Sequence, residues 1–115
     1  MAFSEFELHR YKKAVKTYVE SHRPPAHIRD ELDLAFRIEE QSVEIYEIRP
    51  MFKSPNETIE KRVAKATYVQ KSDNWKIYWQ RADLKWHRYD PNPTADSIEE
   101  VLRIIEEDEC ACFYG

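Results

Sequence analysis

Apolar residues recur at helical spacing near the start of the chain, at alternate positions through its middle, and at helical spacing again towards its end. Leu8, Tyr11, Val15, Tyr18 and Val19 make one stripe, which predicts a helix over residues 5–22. Ser4 and Glu7 form an S-x-x-E capping box before it, and Pro24 and Pro25 end it, since proline lacks the amide and restricts its predecessor. From Leu32 the period becomes two: Leu32, Leu34, Phe36 and Ile38 alternate with Asp33, Ala35, Arg37 and Glu39, the pattern of a half-buried strand. After a polar turn, Val43, Ile45, Tyr46 and Ile48 predict a second strand closed by Pro50. Its apolar set changes face between Ile45 and Tyr46, which predicts a bulge or burial on both faces. Residues 62–70 carry the β-formers Val63, Thr67, Tyr68 and Val69 and predict a third strand, with a hairpin loop at 71–74.

Residues 75–89, WKIYWQRADLKWHRY, hold all three tryptophans of the chain and two of its seven tyrosines, so the rest of the fold has to be organised around them. Alternation points Trp75, Ile77 and Trp79 to the core and Lys76, Tyr78 and Gln80 away from it. A turn at 81–83 leads to a fifth strand over 84–89, with Leu84 and Trp86 expected inward and Lys85, His87 and Tyr89 outward. Pro91 and Pro93 break the sheet. Asp96 and Glu99 suggest a second capping box, and Ile98, Val101, Leu102 and Ile105 give the stripe of a short amphipathic helix. Four carboxylates at 106–109 meet the negative end of that helix, so fraying is expected there. Phe113 and Tyr114 are large and apolar, and are expected to dock on the sheet. The order is α-β-β-β-β-β-α. It predicts an α+β fold: a five-stranded antiparallel β-meander with an N-terminal and a C-terminal helix packed on one face, residues 1–115 forming a single domain.

Composition narrows the function classes. Hydrophobic content of 42% with 35% charged residues describes a chain that folds around a core in water. A single glycine excludes a Gly-rich phosphate loop. No apolar run approaches the ~20 residues of a membrane span, and the first ten residues lack the apolar stretch of a signal peptide. Two cysteines only two positions apart offer no disulfide framework. The expectation is a cytoplasmic protein with no membrane partner. The net charge of −4 is unevenly spread: −2 over residues 1–59, +5 over 60–89 and −7 over 90–115. The aromatic stretch therefore sits in the basic part of the chain, which suits an anionic partner, although patch and tail can also neutralise each other.

Three constellations can carry chemistry. Lys76, Tyr78, Lys85, His87 and Arg88 interleave rings and cations on strands. Single-stranded nucleic acid needs that arrangement, because bases stack on rings and phosphates meet cations. Asp83-x-Lys85 matches half of the carboxylate–lysine signature of metal-dependent nucleases, with Glu44 or Glu47 available as the missing carboxylate. Three-letter matches are frequent in so charged a chain, and Asp83 equally reads as a turn residue. Cys110 and Cys112, with His22, His27 or His87, contain zinc-ligand types, but C-x-C is shorter than structural zinc spacing and two strong ligands are missing. A small packed cysteine is the plainer reading. The expected function is a non-enzymatic binding module that uses a basic-aromatic sheet face for single-stranded nucleic acid or a protein partner, with no cofactor. The alternative is a metal-dependent nuclease-like enzyme at Asp83 and Lys85.

The segments IRDELDLAFRIEEQSVEIYEIRP and VAKATYVQKSDNWKIYWQRADLKWHRYDP, with the closing CFYG, resemble the bacterial domain of unknown function 3024 family over nearly the whole chain. The resemblance implies a small soluble bacterial protein and carries over no catalytic or binding residue.

Overall fold

A computed structural model of the chain describes residues 3–51, 53–54, 56–108 and 113. The first helix, α1, spans Glu5–His22. Its capping box forms as the sequence predicts: Ser4 Oγ accepts the Glu7 amide at 3.2 Å, and Glu7 Oε1 accepts the Ser4 amide at 3.1 Å. Tyr11, Val15, Tyr18 and Val19 form its buried stripe. A 3₁₀ turn at Ala26–Ile28 follows the prolines.

Six antiparallel strands come next: β1 Asp33–Glu39, β2 Ser42–Pro50, β3 Thr58–Val69, β4 Asn74–Gln80, β5 Trp86–Arg88 and β6 Thr94–Ala95. Their order is β1-β2-β3-β4-β5, with β6 also beside β4. The second helix, α2, spans Ile98–Glu107. The meander follows from tight turns. Glu40 and Asp73 adopt φ of 52° and 51°, in the left-handed region that reverses a chain in few residues and that Asp tolerates better than most.

Paired positions define the two faces of the sheet. Ile38, Val43, Ala66 and Ile77 lie in one inward row, and Phe36, Ile45, Ala64 and Trp79 in the next. Both helices cover this face. Tyr11 of α1 packs edge-on against Trp75 at 5.0 Å, within a cluster that includes Phe3 and Tyr68. Ile98, Val101, Leu102, Ile104 and Ile105 of α2 complete the core. The expected change of face in the second strand is a bulge: Ile45 pairs with Ala64 but Tyr46 with Arg62, leaving Val63 as an extra residue on β3. Val63 and Ala64 are consequently both buried, each 1% exposed.

Two expectations are corrected. Leu84 takes φ 63° in the turn, its amide bonded to the Arg81 carbonyl at 2.8 Å. That turn resets the alternation, and in a strand a reset of one residue reverses every side chain. Trp86 therefore faces out opposite Gln80, His87 sits opposite inward Trp79, Leu84 is 75% exposed and Tyr89 is fully buried. The second helix is capped by Ser97, whose side chain accepts the Glu100 amide at 3.1 Å, not by Asp96. Of the carboxylates at its end, Glu107 lies 2.9 Å from Arg103 and Glu106 lies 3.4 Å from His22 of α1. The helix runs to Glu107 and stops at Asp108 in the left-handed conformation. Phe113 docks as expected, 4% exposed with its ring 4.5 Å from that of Tyr89; Tyr114 lies outside the described residues.

Candidate binding face

The face of the sheet opposite the helices is set by the same register. Arg37, Glu44, Lys65, Tyr78 and Arg88 form one row across five strands, and Ser42, Thr67, Lys76 and Thr94 form the row beside it. Tyr46 and Arg62 are opposite each other on the far side of the bulge, and Trp86 faces out beside Gln80. Neighbouring strands stand about 4.8 Å apart, so each row is a line of closely spaced side chains.

The row is electrostatically divided. At its β1 end Arg37 is held in ion pairs, with Nε 3.0 Å from Glu44 and a terminal nitrogen 2.6 Å from Glu60, and its guanidinium lies 4.5 Å from the Tyr46 ring centre. Towards β4 and β5 the cations are available. Lys76 is exposed, and Lys65 lies 5.8 Å from the centre of the Trp86 ring. Arg88 meets Asp90 at 3.0 Å, but both side chains are more than 70% exposed, so that pair is readily exchanged for another anion. Among the described residues, no carboxylate forms an ion pair with Arg62, Lys65 or Lys76. Interleaved with these cations are Tyr78 and Trp86, both half-buried on the outer side.

Of the residues singled out from sequence, Lys76, Tyr78 and Arg88 meet on this face. Lys85 is exposed in the β4–β5 turn rather than on a strand. His87 turns to the helix side and bonds Asp83 at 2.9 Å. Arg62, Lys65 and Trp86 were missed by sequence reasoning. The signal for Lys65 was present, since it alternates with Ala64 and Ala66 and the β3–β4 hairpin sets it opposite Tyr78, whereas the outward position of Arg62 needs the bulge at Val63.

The nuclease-like set is not brought together. Asp83 is a turn residue: its carboxylate accepts the Lys85 amide at 2.9 Å and is held below the usual carboxylate range first by that bond and then by His87. Glu44 is on the outer face, bound to Arg37 and separated from the β4–β5 turn by β3. Glu47 lies opposite Leu34 on the helix side. Among the described residues, no three His, Cys, Asp or Glu side chains are placed to hold a metal ion. Cys110 and Cys112 lie outside the described residues. No described helix is long and apolar enough to cross a membrane.

With this geometry in hand, the chain can be placed among known proteins. The family model described as domain of unknown function (DUF3024) matches residues 3–115. The chain belongs to that family. No curated protein and no solved structure matches it. The match covers every strand and both helices, so the outer face is built wholly from the family's domain.

Proposed function

We propose that the chain is a non-enzymatic binding module, and that the outer face of its sheet takes a single-stranded nucleic acid. The observation that carries this reading is the group Lys65, Lys76, Tyr78, Trp86 and Arg88 on β3, β4 and β5, where rings alternate with two lysines that no described carboxylate pairs and an arginine whose only described ion pair, with Asp90, is solvent-exposed. Rings accept any base by stacking, and the cations track a phosphate backbone. A sheet face suits single strands, whose bases splay out, better than a duplex, whose grooves call for a projecting helix or ribbon.

The test is titration of the protein with oligodeoxythymidylate, followed by tryptophan fluorescence at several salt concentrations. Contacts from Arg62, Lys65, Lys76 and Arg88 give a slope of about −3 in log K against log salt, at roughly 0.7 per phosphate contact. Replacing Lys65 and Lys76 with Gln flattens the slope by about 1.4. Tyr78→Ala weakens binding by ~1–3 kcal/mol and leaves the slope unchanged, because stacking releases no counterion. Failure to bind the oligonucleotide at low salt ends the nucleic-acid reading.

A further inference from the structure

The two edges of the sheet are treated differently by the sequence. On one side β5 has three residues and β6 two, followed or preceded by Pro91 and Pro93, so that edge is short and blunted. On the other side β1 is a seven-residue edge strand with β2 as its neighbour, and it contains no proline, lysine or bulge.

The backbone polarity of β1 can be worked out. Glu39 and Ser42 flank the two-residue turn Glu40–Gln41, and residues flanking such a turn exchange both hydrogen bonds. Asp33, Ala35 and Arg37 share that phase and bond to β2, so the amides and carbonyls of Leu34, Phe36 and Ile38 point to the free edge. The Leu34 amide agrees, since it is taken by its neighbour Asp33 Oδ1 at 2.8 Å. The helix side of this edge is an unfinished core. Phe36 and Ile38 are half-buried and Leu8 is 40% exposed, beside a hollow of about 340 Å³. A second hollow of about 250 Å³ opens at the start of the strand, where Leu32 and Leu34 line it together with His22, Glu47 and Glu106.

We infer that the free edge of β1 pairs with β1 of a second copy, antiparallel about a two-fold axis at Ala35. This occupant is selected by self-complementarity. About Ala35, Leu34 falls opposite Phe36 on the helix side, and Leu32, which just precedes β1, comes beside Ile38, so the half-buried Phe36 and Ile38 of each copy gain apolar cover from the other. On the outer side Asp33, held by Arg23 of its own chain, falls opposite Arg37, held by Glu44 and Glu60 of its own chain, twice, so charges of opposite sign join into one network across the seam, and alanine opposes alanine at the axis, where a non-hydrogen-bonded pair brings Cα atoms to about 4.5 Å. An axis at Phe36 would set Asp33 against Glu39, and one at Arg37 would set two arginines together. The like pair in the favoured register, Glu31 and Glu39, falls at the exposed fringe beyond Asp33. The interface is isologous and closes on itself, which is the commonest symmetry of soluble oligomers.

The experiment is light scattering on the full chain, with two sets of variants. The wild type should have the mass of a dimer. Ala35→Glu and Ala35→Lys, each placing like charges at the axis, should each be monomeric with an unchanged circular dichroism spectrum, and an equimolar mixture should recover the dimer mass. In a Cys110→Ser, Cys112→Ser background, Ala35→Cys should cross-link on oxidation, because the Cα separation lies within disulfide range, whereas Glu39→Cys should not. A wild type that stays monomeric at every concentration overturns the inference. So does a dimer that survives Ala35→Glu, or one that cross-links through residue 39 but not 35.

Discussion

At the scale of single residues, Trp75 and Trp79 show how one strand face can hold two different environments. Both point to the helix side, as their spacing predicts. Trp75 is 1% exposed and ringed by Phe3, Tyr11 and Tyr68. Trp79 is only partly buried, with Arg81 lying 5.5 Å from the centre of its ring. Alternation reveals which way a side chain points, but not whether a helix reaches far enough to cover it. Trp75→Ala should therefore cost ~3–5 kcal/mol in urea melts at fixed protein concentration, and Trp79→Ala clearly less. Equal losses would place the two in equivalent cover and contradict the packing described here. A second residue-scale expectation concerns pH. Arg23 grips Asp33 with two bonds of 2.9 Å and lowers the Asp33 pKa, chiefly through the side-chain hydrogen bond. A carboxyl lowered in the folded state contributes stability above its unfolded pKa, and that contribution disappears as pH falls through the folded value. The wild type should exceed Asp33→Asn in stability at neutral pH, and the gap should close below about pH 4. A gap independent of pH would assign the effect to shape and not to charge.

At the scale of elements, local signals were strong wherever periodicity and an end signal agreed. Helix α1 begins and ends where Ser4, Glu7 and the two prolines place it, and a bulge falls at Ile45 and Tyr46 as the pattern suggests, although its extra residue, Val63, belongs to β3 and β2 keeps its alternation. What alternation cannot supply is phase after an irregular turn. Nothing in ADLK specifies that Leu84 takes a left-handed conformation, so the facing of β5 was illegible. Nor can two residues announce β6, since Thr94 and Ala95 gain their strand geometry by pairing with Lys76 and Trp75. The cap of α2 was ambiguous by one position, because Asp96 and Ser97 are both good N-cap residues. The structure makes the choice testable. Ser97→Ala should destabilise the protein by ~1 kcal/mol through the lost bond to the Glu100 amide, whereas Asp96→Ala should leave it nearly unchanged. The reverse ranking in thermal melts would return the cap to Asp96.

At the scale of the whole molecule, the charge imbalance visible in the sequence separates the acidic second helix from the cations of the outer face. Residues 60–89 supply the outward cations of β3, β4 and β5, while the acidic residues of α2 lie on the helix side. The candidate face was legible in outline because Lys76 and Tyr78 alternate with core residues on the same strand. Arg62 depends on the bulge and Trp86 on the β4–β5 turn, both long-range consequences of packing. The separation also decides whether the acidic helix masks the basic face. A helix packed on a sheet is on the order of 10 Å away, about a Debye length at 0.1 M salt, and here the sheet itself intervenes. Glu106 and Glu107 are more than half exposed at the negative end of α2, so replacing them with Gln removes charge without disturbing the core. The double substitution should change oligonucleotide affinity by less than about twofold at 0.1 M salt and leave the salt slope unaltered, because neither residue is close enough to compete for Lys65 or Lys76. An affinity that rises severalfold, with an altered slope, would mean that the acidic helix occupies the basic face in solution. The separation of charge between the two sides of the sheet would then be lost together with the binding face built on it.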